Sequence, residues 1–268
     1  SASNAAHVLQ IAATSIASFG ALTNGTGNTV EYTSITGGQT ISSATYNHLL
    51  LDNTSGTNTT GGNITVNGTL TTTSGGSLTN NNTLTVTTAL SGAGTLVQGA
   101  SSTLNIGGTS GITGLDASTN TNTVNYTAAG SQTIKSVNYS SLSISGGGSN
   151  IKTLNGSNTV SGVLTIASAT TLAFPASAQT LTLSGTGTNT LVSSGTIDMS
   201  ASNAAHVLQI AATSIASFGS LTNGAGSTVE YTKTTGGQTI SAATYNHLLL
   251  DNTSGTNTAG GNLVVNGT

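Results

Sequence analysis

The sequence predicts an all-β chain coiled as a parallel β-solenoid (β-helix) of tandem units, and three observations carry that expectation. Short runs of alternating apolar and polar residues recur along the chain, separated by Gly, Asn and Ser. The chain repeats itself. It is also nearly free of charge: 3% of 268 residues, with three lysines, six carboxylates and a net charge of -3, against about 25% in ordinary soluble domains.

The elements follow in order. SNAAHVLQIAATSIASFG opens the chain and is ambiguous, because its alanines favour helix; VLQIA alternates, so a strand is expected there. TVEY, QTIS, HLLL, ITVNGTLT, TLTV, TLVQ and STLNIGG come next, then SLSI, VLTIAS, QTLTLSG and TLVSSGTID. Each run spans about four to six residues with period two, bounded by turn formers, which reads as strand and turn. Asn-Gly at Asn24, Asn67, Asn155, Asn223 and Asn266 is a further turn signal.

Residues 1–69 recur as residues 200–268 with nine differences, among them Ser34/Lys233, Asn28/Ser227 and Ile64/Leu263. One tandem unit therefore spans 1–199, and 200–268 is the first third of the next, expected to continue the same solenoid. Such a chain is expected to be an excerpt of a longer array. Sub-repeats begin near 29 and 123: TVEYTSITGGQTISSATYNHLLL aligns with TVNYTAAGSQTIKSVNYSSLSI, and ITVNGTLT with NTVSGVLT. In that alignment Leu49 and Leu51 meet Leu142 and Ile144, whereas His48, Leu50 and Asp52 meet Ser141, Ser143 and Ser145. Alternate strand residues face opposite ways. One face stays apolar, and His48 and Asp52 belong on the outward face.

Two architectures suit this pattern: the solenoid, or a string of immunoglobulin-like β-sandwiches, since TVxY recurs at intervals of 94 and 105 residues against the sandwich's about 100. Aromatic residues at 3% and no Trp argue against the thick sandwich core. Like charges stacked about 4.8 Å apart would repel, while neutral Thr, Ser and Asn can form hydrogen-bonded ladders. At about 20–25 residues per turn, one unit makes about eight to ten turns and about 40–50 Å of length.

The order TVxY, Gly-rich turn, QTI, Tyr with Leu-x-Leu, then TVxGxLT resembles repeat modules of giant secreted bacterial surface proteins. These are the filamentous-haemagglutinin-like adhesins and the cell-surface adhesins of gliding Bacteroidota. The likeness covers 29–72, 123–166 and the restart at 228. It implies an extracellular or cell-surface structural role, without catalysis in the repeats, and brings no binding residues.

Chemistry is sparse. Nucleic-acid binding lacks both a basic patch and stacking aromatics. With no cysteine there is no disulfide or thiolate site, and no apolar run reaches the about 20 residues of a membrane span. His48/Asp52 and His247/Asp251 could suggest a metal or acid–base pair, but i and i+4 on a strand lie about 13 Å apart, too far to share one ion. His7 and His206 repeat another position. Glu31, Asp116, Asp198 and Glu230 are the other acids, and Lys135, Lys152 and Lys233 are scattered. A polysaccharide-processing enzyme on a β-helix would want clustered carboxylates or cations. The glycine runs lack the aspartate of calcium-binding nonapeptides. Asn63-Ile64-Thr65 is a sequon that an Asn/Thr-rich chain also produces by chance. No catalytic, cofactor or metal residue is expected. The functional expectation is a structural segment of a very long extracellular fibre or stalk. The expected partners are adjacent repeat units and, through lateral contact, other filaments. The alternatives are a glycan- or cell-binding adhesin and an ice-binding face. The last would need Thr-x-Thr at one point of every turn, whereas Thr71/Thr73, Thr83/Thr85, Thr119/Thr121 and Thr180/Thr182 are irregularly spaced.

Overall fold

A computed structural model describes residues 6–148 and 150–268. It is all-β. Among the described residues every strand pairing is parallel, and the one helical element is a 3-10 turn at Ala201–Asn203. Consecutive strands do not form hairpins, which removes the sandwich alternative and leaves the solenoid. The ambiguous opening segment holds the strand Val8–Ile11, and its copy holds Val207–Ile210; residues 3–5 of that segment lie outside the described residues.

The chain divides into two compact units, Ser1–Ala128 and Ala129–Thr268, a division that does not follow the 199-residue sequence period. In the first unit each turn contributes up to three strands, one to each of three stacks. Val8–Ile11, Thr29–Tyr32, His48–Leu51, Thr69–Thr72, Ala89–Gly92 and Thr109–Ser110 form one stack. Thr40–Ile41, Thr57–Thr60, Ser77–Asn80, Thr95–Gln98 and Gly114–Asp116 form the second. The third includes Thr45–Tyr46, Ile64–Val66, Thr83–Val86, Thr103–Ile106 and Thr123–Tyr126. Register partners such as Thr83 and Thr103 differ by one turn of sequence.

The second unit repeats the principle with turns of more varied length. Asn158–Val160, Thr180–Leu183, Val207–Ile210, Thr228–Tyr231 and His247–Leu250 make one stack. Gln132–Ile134, Asn150–Leu154, Thr170–Ala173, Thr196–Met199 and Ser220–Asn223 make another. Ser141–Ile144, Leu164–Ile166 and Leu191–Ser193 pair in turn.

The alternation explains the interior. In the first unit Ile64, Leu84, Leu104 and Val124 lie in register over one another, as do Val66, Val86, Ile106 and Tyr126, and all are buried. Each such side chain contributes about 1.5–3 kcal/mol on removal from water. The outward residues between them form polar ladders: Asn125 Nδ2 donates to Asn105 Oδ1 at 2.7 Å, and Asn105 Nδ2 to Thr85 Oγ1 at 3.0 Å. Gln209 Nε2 donates to Glu230 Oε2 and Thr182 Oγ1 to Gln209 Oε1 in the second unit. The Thr83/Thr85 pair stacks on Thr103/Asn105 and then Thr123/Asn125, so Thr-x-Thr does not repeat on successive turns there.

Candidate functional site

His48 lies half-buried at the start of its strand, facing outward, with Leu49 and Leu51 buried beside it. Its ring is engaged: Thr69 N–H donates to His48 Nδ1 at 3.0 Å. A Cβ on Gly68 would stand 2.5 Å from His48 Cε1, so the imidazole lies against a bare backbone one turn away. The second copy repeats this, with Thr268 N–H donating to His247 Nδ1 at 3.0 Å and a Gly267 Cβ 2.7 Å from the ring. Ser141, aligned with His48, does the same chemistry. Val163 N–H donates to Ser141 Oγ at 3.2 Å, and a Gly162 Cβ would stand 2.7 Å from that oxygen. The slot is therefore not indifferent to its occupant. It takes a side-chain acceptor for a backbone N–H one turn on, with glycine beneath.

Asp52 follows the strand, half-buried, and its N–H donates to Tyr32 O. The structure does not join it to His48 as a pair, and among the described residues no three His, Asp or Glu side chains gather to hold a metal ion. Glu31 accepts from Gln10 Nε2 at 2.9 Å. Asp116 accepts from Thr119 Oγ1 and from the N–H groups of Ser118 and Thr119. Burial pushes its carboxyl up, but these bonds outweigh it and hold the group below the usual carboxylate range. Asp198 accepts from the hydroxyl and N–H of Ser200. Each of these three acids accepts hydrogen bonds from close neighbours.

His206 is buried. Gln179 N–H donates to its Nδ1 at 3.3 Å, its Nε2 lies 3.3 Å from Ala201 O, and the Phe174 ring is 5.1 Å away. Its counterpart His7 is exposed.

Inside the fold, glutamine, asparagine and tyrosine side chains form two hydrogen-bonded networks. Gln39 is buried: its N–H donates to Asn58 Oδ1 at 2.9 Å, and its Nε2 donates to Ile11 O and Ala13 O. Asn58 Nδ2 in turn reaches Asn53 Oδ1 at 3.2 Å. Gln238, Asn257 and Asn252 rebuild the same network in the second copy. All six tyrosines are buried. Tyr46 OH donates to Ser42 O at 2.6 Å, and Ser42 N–H donates to Tyr32 OH at 3.0 Å. Tyr231, Ser241 and Tyr245 duplicate that arrangement. Burial pushes the Tyr46, Tyr231 and Tyr245 phenols above the usual range. The signal for both networks was available as Gln39/Gln132 and the TVxY tyrosines, which persist between sub-repeats.

Lys152, one of the three scattered lysines, is held inside the fold. It is buried, pairs in register with Gln132, and donates from Nζ to Gly130 O at 2.9 Å. Burial pushes its ammonium pKa down. Lys233 stays near the surface, donating to Thr213 Oγ1.

The surface offers shallow hollows. One of about 340 Å³ is lined by Thr29, His48, Leu49, Leu50, Thr69 and Thr71, and the equivalent residues Thr228, His247, Leu248, Leu249 and Thr268 line another. Among the described residues no helix is long and apolar enough to cross a membrane. Comparison with protein families, with curated proteins and with solved structures finds no match to this chain.

Proposed function

We propose that this chain is a structural segment of a very long extracellular bacterial fibre or stalk, where its repeats provide length and stiffness. The observation that carries this is the duplication of an internal framework rather than of a reactive cluster. Gln39/Asn58/Asn53 and Tyr32/Ser42/Tyr46 are each rebuilt bond for bond 199 residues on. Parallel backbone pairing adds one turn at a time, so each repeat rests mainly on its neighbours. Adjacent repeats are then the chain's principal partners, with side-by-side contact between filaments as a further one. Electron microscopy of native cell-surface material, labelled with antibody to this chain, tests the reading. Long uniform filaments carrying label along their length are expected; compact labelled particles would overturn it.

A second reading, a cell-surface adhesin, rests on the hollow that recurs around His48 and His247. Its mixed threonine, imidazole and leucine lining suits neutral sugar rings. Binding of the chain on a glycan array, lost in Leu50→Lys, would favour it.

A further inference from the structure

We propose that His48 and His206 are two separate acid-sensitive links between turns: each holds a neighbouring turn through an acceptor nitrogen that protonation removes. The geometry fixes the tautomer. A backbone N–H can only donate, so Nδ1 of His48 accepts from Thr69 and Nδ1 of His206 accepts from Gln179. An imidazolium has two N–H donors and no acceptor. On protonation a donor would face a donor. At His206 the ring is buried against Phe174. At His48 the ring can leave, which strands the Thr69 N–H over Gly68.

Composition makes the effect readable. Histidine is the side chain whose ordinary titration lies between pH 5 and 8, and the chain has four of them and no cysteine. On the elements packed against His48 the charged residues are Glu31 on the preceding strand, opposite Leu50, and Asp52 just beyond its own strand. The strand on its other side, Thr69–Thr72, carries none. Around His206 they are Glu230, on the strand following Val207–Ile210, and Asp198 just before the 3-10 turn; Thr180–Leu183 carries none. The hydrogen bonds of Glu31, Asp198 and Glu230 come from Gln10, Ser200 and Gln209, not from either imidazole. The molecule contains its own control: Ser141 fills the His48 slot and accepts Val163 N–H through a group that does not titrate.

Amide hydrogen exchange of the full chain at pH 7.5 and 5.0, corrected for the intrinsic pH dependence of exchange, tests the proposal. Protection at Gln179 should fall roughly tenfold and at Thr69 several-fold, as local opening becomes easier, while Val163 is unchanged. His48→Ser should abolish the response at Thr69 and leave that at Gln179; His206→Asn should do the reverse. Equal protection of Thr69 and Gln179 at both pH values in the unaltered chain would overturn the proposal. So would a His48→Ser chain that still loses Thr69 protection in acid, and that arm decides if His206→Asn does not fold.

Discussion

A methyl group on Gly68 would lie 2.5 Å from His48 Cε1 and 2.8 Å from the carbonyl oxygen of Asn47. The Asn-Gly dipeptide is thus needed here for close approach between turns rather than for a left-handed backbone. Gly130, by contrast, has nothing within 4 Å of its would-be Cβ. Gly68→Ala should lower stability by about 1–3 kcal/mol through overpacking, whereas Gly130→Ala should stay within about 0.5 kcal/mol. Thermal melts of the two variants side by side check this. Lys152 illustrates the same scale differently. It stacks one turn after Gln132 where Asn58 stacks one turn after Gln39, so a long cation replaces an amide in an interior polar tier. Its stem fills the space, and Gly130 O takes its ammonium.

At the scale of elements, a strand here is defined by what lies one turn away, not by its chain neighbours. Thr83–Val86 is flanked by Ile64–Val66 and Thr103–Ile106, in register on both sides. Deleting residues 83–102 removes one turn and brings Thr103 to the place of Thr83. The inward columns then close with Ile64 and Val66 beneath Leu104 and Ile106. The bonds from Asn80 Nδ2 to Gln98 Oε1, between Thr71 Oγ1 and Ser91 Oγ, and from Asn105 Nδ2 to Thr85 Oγ1 go with the turn, each about 1 kcal/mol, as does the burial of Leu84, Val86, Leu90 and Leu96. Such a deletion should keep a cooperative melt and the same far-ultraviolet circular dichroism per residue. Deleting only 83–92 leaves half a turn without a partner strand and should abolish the melt.

At the scale of the whole molecule, the scarcity of charge has a measurable consequence. Ionic strength acts on stability through unpaired or surface charges, and with three lysines and six acids in 268 residues there is little to screen. The melting temperature should therefore change by less than about 2 °C between about 0.02 and 0.3 M NaCl, as followed by circular dichroism. A shift of about 5 °C or more would mean that the surface charges matter more than the neutral ladders.

Sequence by itself determined that the chain is β throughout, that Leu49 and Leu51 face in while His48 and Asp52 face out, and that turns stack neutral residues on neutral residues. Those are consequences of local periodicity and of the absence of charge, both of which can be read along one strand. Only the tertiary structure decided that His48, His247 and Ser141 share the task of accepting an N–H from the next turn. It also decided that the six tyrosines and Gln39, Asn53 and Asn58 knit the interior, and that Lys152 is buried. Each of those facts depends on which residue lies above which, about twenty positions away, and turn lengths vary enough that the register follows only once the coils have closed on one another.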